Sequence, residues 1–125
     1  MTYFSDTASA RAGDGRYSAL DDLPEVDAGN GVTLRPLAGQ RLMLSHVTIA
    51  PRGEAAVHTH DEEQMGLVVS GTCEFSLDGV ERSLAAGDIY HAPAGVPHGA
   101  KGGPDGCVIV DLFAPPRQAL LDLMR

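Results

Sequence analysis

The sequence predicts an all-β fold, an antiparallel sandwich or small barrel that ends in a short C-terminal helix. Three observations carry this expectation. From Val32 to Phe113 the chain is a succession of short apolar or alternating runs interrupted by Gly and Pro, the pattern of many short strands. Asp78-Gly79 separates Phe75-Ser76-Leu77 from Val80-Glu81-Arg82, a two-residue hairpin signal because a type I′ turn needs positive φ at both central positions. Helical spacing appears only near the end, where Leu120, Leu121 and Met124 fall on one face of Arg117 to Met124.

Taken in order, residues 1–31 are rich in Ser, Ala, Asp and Gly without a sustained period. They are expected to form an N-terminal arm, with one helical turn at most around Ser18 to Pro24, ahead of a single domain over 32–125. The expected strands are Val32 to Arg35, Gln40 to Ala50, Ala56 to His60, Gln64 to Ser70 and Thr72 to Leu77. Val80 to Leu84, Asp88 to His91, Val96 to Ala100 and Cys107 to Phe113 follow. Pro115-Pro116 stops the last strand and suits a helix start.

Composition narrows the function. A chain of 125 residues holds one real core. Nine basic against 17 acidic residues give a net charge of -8, which disfavours a nucleic-acid partner because phosphate binding needs a basic surface. A small anionic substrate stays compatible, since a buried cation governs what a ligand feels within a Debye length of about 8 Å. Neither a membrane-spanning apolar run nor a secretory signal is visible at Met1-Thr2-Tyr3-Phe4-Ser5-Asp6, so the expectation is a cytoplasmic protein without a membrane partner. Cys73 and Cys107 sit in apolar runs and read as buried thiols.

The chemistry concentrates in Gly53-Glu54-Ala55-Ala56-Val57-His58-Thr59-His60-Asp61-Glu62-Glu63-Gln64. In an extended strand side chains alternate, so His58 and His60 point the same way. Two imidazoles on one face form half a coordination shell. Gln64, beyond a turn at Asp61-Glu62, can return an amide oxygen to the same spot, and His98 supplies a fourth donor from a distant strand. His46 and His91 stand outside this pattern and read as core or surface histidines. Three imidazoles and one amide suit a divalent transition metal, with zinc, nickel, iron and manganese all compatible. Four neutral ligands leave the full +2 on the ion, a stronger Lewis acid than one with a carboxylate ligand.

Gly53 to Gly71 resembles the first cupin motif, a glycine, then H-x-H, three residues to a ligand and six to a glycine. Gly87 to His98 is similar to the second, G-x5-P-x-G-x2-H. The first motif departs twice: four residues rather than five separate Gly53 from His58, and Gln64 stands where glutamate is usual. The resemblance spans roughly residues 32 to 113. It implies a cupin jelly-roll, a double-stranded β-helix barrel, with His58, His60, Gln64 and His98 as metal ligands, and a homodimer as assembly.

A second constellation lies in Cys107-Val108-Ile109-Val110-Asp111-Leu112-Phe113-Ala114-Pro115-Pro116-Arg117. Asp111 is the only charge between Cys107 and Phe113 and shares a face with Ile109 and Phe113. Two registers are open: Val108, Val110 and Leu112 inward with Asp111 in solvent, or Ile109 and Phe113 inward with Asp111 aimed at the cavity. The second is favoured, because an inward acid beside a Lewis-acid metal is a coherent acid/base arrangement. With Gln64 as ligand, the tail Asp111, Phe113, Arg117 resembles the small cupins of the KdgF type, associated with pectin and alginate breakdown. That resemblance implies conversion of 4,5-unsaturated monouronates to the open-chain keto form. Asp111 would be the acid/base, Phe113 a wall facing the ring and Arg117 a clamp for the carboxylate. Competing readings are a metal-dependent dioxygenase, a polyketide cyclase or isomerase, and a non-enzymatic sensory or small-molecule-binding barrel.

Overall fold

In the computed structural model, which describes residues 15–124, a single 3-10 turn, Leu20–Asp22, precedes eight strands. These are β1 Val26–Gly29, β2 Val32–Ala38, β3 Met43–Ile49, β4 Glu54–His58, β5 Glu63–Leu77, β6 Val80–Ala85, β7 Ile89–Ala92 and β8 His98–Ala114. A helix, α1 Gln118–Leu123, closes the chain. Every pairing is antiparallel.

Two long strands serve both layers of the sandwich. The Cys107 to Phe113 half of β8 lies between β3 and the first half of β5, and β7 pairs on the far side of β5. The His98 to Lys101 half of β8 lies between β4 and the second half of β5, with β6 beyond. Between the layers Val47, Ile49, Val68, Phe75, Ala100 and Ile109 form the main core. A second cluster of Val26, Met43, Phe113 and Leu120 packs α1 against one end. Leu121 and Met124 pack against that cluster too, so the helix buries the face its spacing predicted.

The expected strands Gln64 to Ser70 and Thr72 to Leu77 are one strand, and the strand expected over Val96 to Ala100 starts at His98 and is continuous with Cys107 to Phe113. The glycines between them bend the ladder rather than end it. Gly71 and Gly106 take φ +72° and +71°, and a Cβ on Gly71 would stand 2.1 Å from the Gly106 carbonyl oxygen. The two strands therefore turn the corner together, each occupying room a side chain would need.

Other boundaries move for local reasons. β2 continues through Pro36, which faces Ser45 of β3, because β1 reaches only as far as Leu34 and leaves that side of β2 unpaired. β4 stops at His58 and leaves His60 in the following loop. The sheet starts at Val26, inside the stretch expected as an arm, and residues 1–14 of that stretch lie outside the described residues. Arg35 ties the 3-10 turn down through the Leu23 carbonyl at 3.0 Å and Glu25 at 2.8 Å.

Asp78 and Gly79 both have positive φ, +50° and +79°, and Leu77 faces Val80, the type I′ hairpin expected there. Cys73 and Cys107 are free and buried. Among the described residues no helix is long and apolar enough to cross a membrane.

The corner yields a test. Gly79 has the same backbone sign as Gly71, yet a Cβ there meets nothing within 4 Å. Gly79→Ala should cost about 1 kcal/mol from its positive φ, and Gly71→Ala at least about twice that. Urea unfolding of the two variants measures the difference.

Candidate metal centre

β4, β8 and the loop between β4 and β5 bring three histidines together. A bulge between Ala55 and His58 sets His58 directly across from His98, with ring centroids 4.5 Å apart. His60 lies in the loop, its centroid 5.5 Å from His58 and 4.8 Å from His98. The loop is anchored to the segment before β8 by the Gly95 N–H, which donates to the His60 carbonyl at 2.9 Å. The two imidazoles expected on one strand face thus do meet, although only the first is on a strand.

Each ring is oriented by the backbone. The Nδ1 atoms of His58, His60 and His98 lie 2.7, 3.0 and 2.9 Å from the carbonyl oxygens of Ala56, Glu62 and Val96. A carbonyl only accepts, so each Nδ1 donates its N–H, and in the neutral tautomer this fixes, the Nε2 lone pair faces the other histidines. Burial lowers the pKa of His58 and His98, and although their carbonyl bonds oppose this, the charge of Arg117 adds to it. The ligand-type nitrogens of the three rings all lie within 4.8 Å of one another.

Gln64, buried at the start of β5, adds a fourth acceptor. Its Oε1 lies 2.9 Å from Nε2 of both His60 and His98. Between neutral rings and the amide oxygen, lone pairs at this distance repel unless a metal ion or a ring proton stands between them. With bonds of about 2.1 Å, neighbouring donors stand about 3.0 Å apart around an octahedral ion and about 3.4 Å around a tetrahedral one. The two Gln64 edges match the octahedral spacing. The histidine triad is able to hold a metal ion, and Gln64 Oε1 stands where a further donor would.

His58, Gln64 and His98 open on a cavity of about 160 Å³ between the layers, which Asp111, Phe113 and Arg117 also line. Asp111, Ile109 and Phe113 are buried while Leu112 is exposed, so the inward register is the observed one. The Phe113 ring stands edge-on to His60 at 5.9 Å. Arg117, at the residue before α1, is 3.9 Å from Glu62, and its buried Nε has no hydrogen-bond partner among the described residues. His91 instead pairs with Glu63 on the outer surface at 2.7 Å, and His46 faces outward from β3, beside Glu25 and Arg35.

Comparison with known proteins agrees with this geometry. The family model described as a cupin domain matches residues 45–112. The chain belongs to the cupin family. This cupin is 31% identical over 108 residues to the pectin degradation protein KdgF of Dickeya dadantii, covering 85% of its own length and 98% of that protein. Among solved structures it resembles KdgF from Halomonas sp., with TM-score 0.79 and 28% identity over 86% of this chain and 99% of that one. An RmlC-like cupin from Shewanella frigidimarina NCIMB 400 matches with TM-score 0.79 and 30% identity over 86% and 96%.

Three residues of this cupin's site escaped the sequence pattern. The Tyr90 hydroxyl accepts a hydrogen bond from Gln64 Nε2 at 2.5 Å and donates to Asp111 Oδ1. Gly66 lies directly across from Tyr90 on one side and Asp111 on the other. A Cβ at Gly66 would stand 2.2 Å from the Tyr90 ring and 2.4 Å from Asp111 Oδ1, so the tyrosine reaches Asp111 only because position 66 has no side chain. Glu62 holds His60 through its carbonyl and faces Arg117 through its carboxylate. The one visible signal was Gly66 in an otherwise apolar strand run, a mark of close approach.

Burial pushes the Asp111 carboxyl up to about 7, against the Tyr90 hydrogen bond and the nearby Gln64 amide, both of which favour the anion. The unfolded chain loses this proton above about pH 4, whereas the folded protein keeps it until about 7. Asp111 therefore stabilises the fold fully below about pH 4, and that contribution is lost as pH rises towards 7. In chelator, Asp111→Asn should gain stability relative to wild type across this window. Histidine contributions cancel in the comparison. Urea midpoints measured against pH for both proteins read the effect.

Proposed function

We propose that this cupin opens 4,5-unsaturated monouronates to their open-chain keto form, with a divalent metal held by His58, His60, Gln64 and His98. One observation carries the reading: a buried acid poised near neutrality, an aromatic wall and a guanidinium with a free Nε share one cavity with the imidazole cluster. The cavity, about 160 Å³, has a size at which protein interiors admit one six-membered ring. Likeness to a protein named for pectin degradation, over 85% of this chain, supports the substrate class.

The bound ion would supply Lewis-acid polarisation of substrate oxygens. The chain's own residues do the rest. Arg117 binds the C6 carboxylate, using the Nε that Glu62 approaches only to 3.9 Å. Phe113 packs on the sugar ring and keeps water from it. Tyr90 occupies Oδ1 of Asp111, so Oδ2 exchanges the proton. The anomeric hydroxyl loses its proton, the bond from C1 to the ring oxygen breaks, and its electron pair moves to that oxygen as an enolate. Protonation at C4 then yields the C5 ketone and C1 aldehyde. Nothing is oxidised and no co-substrate is needed, and a carboxyl with a pKa of about 7 both takes and returns a proton at neutral pH.

The assay is loss of ultraviolet absorbance of the conjugated double bond in lyase-generated uronates, without oxygen. Asp111→Asn should lower kcat at least about 100-fold with metal content intact, and Arg117→Met should raise KM at least about tenfold. Fully metallated wild type that leaves the absorbance unchanged overturns the substrate assignment.

We also propose a homodimer. Met65, Leu67, Ile89 and Leu112 are exposed on adjoining strands β7, β5 and β8, an outer apolar face on which a second copy would pack about a two-fold axis. Sedimentation should give twice the chain mass, and Leu67→Lys should return the monomer.

A further inference from the structure

A glutamine is an awkward metal ligand, because its amide carries an oxygen at one end and two N–H donors at the other. In the metal-free protein the reversed amide would donate to the Nε2 lone pairs of His60 and His98 across the same 2.9 Å. That arrangement removes the lone-pair repulsion and seals the site against an ion. The observed amide points the other way.

The cause lies behind it. Tyr90 has a single hydroxyl proton and gives it to Asp111, a buried carboxyl. The hydroxyl can then only accept at its other side, and Gln64 Nε2 fills that place at 2.5 Å. Reversing the amide would set two oxygens against each other or take the Tyr90 proton from Asp111. The tyrosine ring cannot drift, since it stacks on Phe75 at 4.1 Å and lies over Gly66 with no side chain between.

We infer that Tyr90 is a positioning residue that makes Gln64 usable as a metal ligand, by locking the amide with its oxygen toward the imidazoles. The inference rests on the metal reading of the histidine cluster but not on the identity of the substrate. A carboxylate has oxygen at both ends and needs no such lock, so the dependence on Tyr90 belongs to glutamine alone.

Calorimetric titration of metal-free protein with zinc(II) tests this in two backgrounds. With Gln64 present, Tyr90→Phe should weaken zinc binding by roughly 10- to 100-fold. In the Gln64→Glu background the same Tyr90→Phe change should cost less than about threefold. Equal losses in both backgrounds would mean that the tyrosine acts through packing alone and would overturn the inference, as would unchanged affinity in Tyr90→Phe. Wild type that binds no zinc would remove the metal reading and the inference with it.

A measurement on the unmutated protein stands if a variant fails to fold. In metal-free wild type, nuclear Overhauser contacts from the Gln64 side-chain amide protons should reach the Tyr90 ring. Contacts to the His60 and His98 rings in their place would overturn the proposal.

Discussion

The ladder between β5 and β8 sets the position of nearly every group in the cavity. One end of it places His98 across from Leu77, and the other places Asp111 across from Gly66 and Phe113 across from Gln64. Because side chains alternate, this register turns Gln64, Gly66 and Val68 inward on one strand and Ile109, Asp111 and Phe113 inward on the other. A slip of one residue would send the acid and the amide to solvent and bring Met65 and Leu112 inside. The bend at Gly71 and Gly106 lets the same two strands build both layers, so the ladder that carries the acid also carries one of the histidines.

Electrostatics inside the barrel follow from what the walls lack. The cavity body is apolar, lined by Val32, Leu34, Val47, Ile49 and Ile109, and polar groups collect at one end. Low polarity keeps His58 and His98 neutral with their Nε2 lone pairs free. It also raises Asp111 into the range where a carboxyl holds and releases protons near neutral pH. One physical cause thus leaves imidazole lone pairs and a carboxyl near its titration range in the same cavity. Arg117 brings a positive charge to the same cavity, in a protein whose net charge is -8. The strongly acidic exterior does not decide what the pocket binds.

Gly66 shows how a missing side chain lets two others meet. The row of Tyr90, Gly66 and Asp111 crosses three strands, and the absent Cβ is the space through which hydroxyl and carboxyl meet. The hydrogen-bond order then runs from the buried acid through the tyrosine to the amide. The acid and the amide are joined by this chain.

Local patterns were legible in the sequence because their causes are local. The hairpin at Asp78-Gly79 follows from the φ those residues tolerate, the buried face of α1 from the spacing of Leu120, Leu121 and Met124, and the histidine cluster from two motifs of fixed spacing. The inward turn of Asp111 was half legible: alternation linked it to Ile109 and Phe113 but could not say which side was the core. Strand ends were less legible, because Gly71 and Gly106 look like breaks until their neighbours show that the two strands bend as a pair. Tyr90 and Gly66 were not legible at all as partners of Asp111, since they lie 21 and 45 positions away in numbering and only strand pairing makes them adjacent. Sequence alone determined which imidazole, amide and carboxyl side chains were present, whereas tertiary structure decided which way each of them points, because orientation depends on neighbours across the sheet that no local pattern specifies.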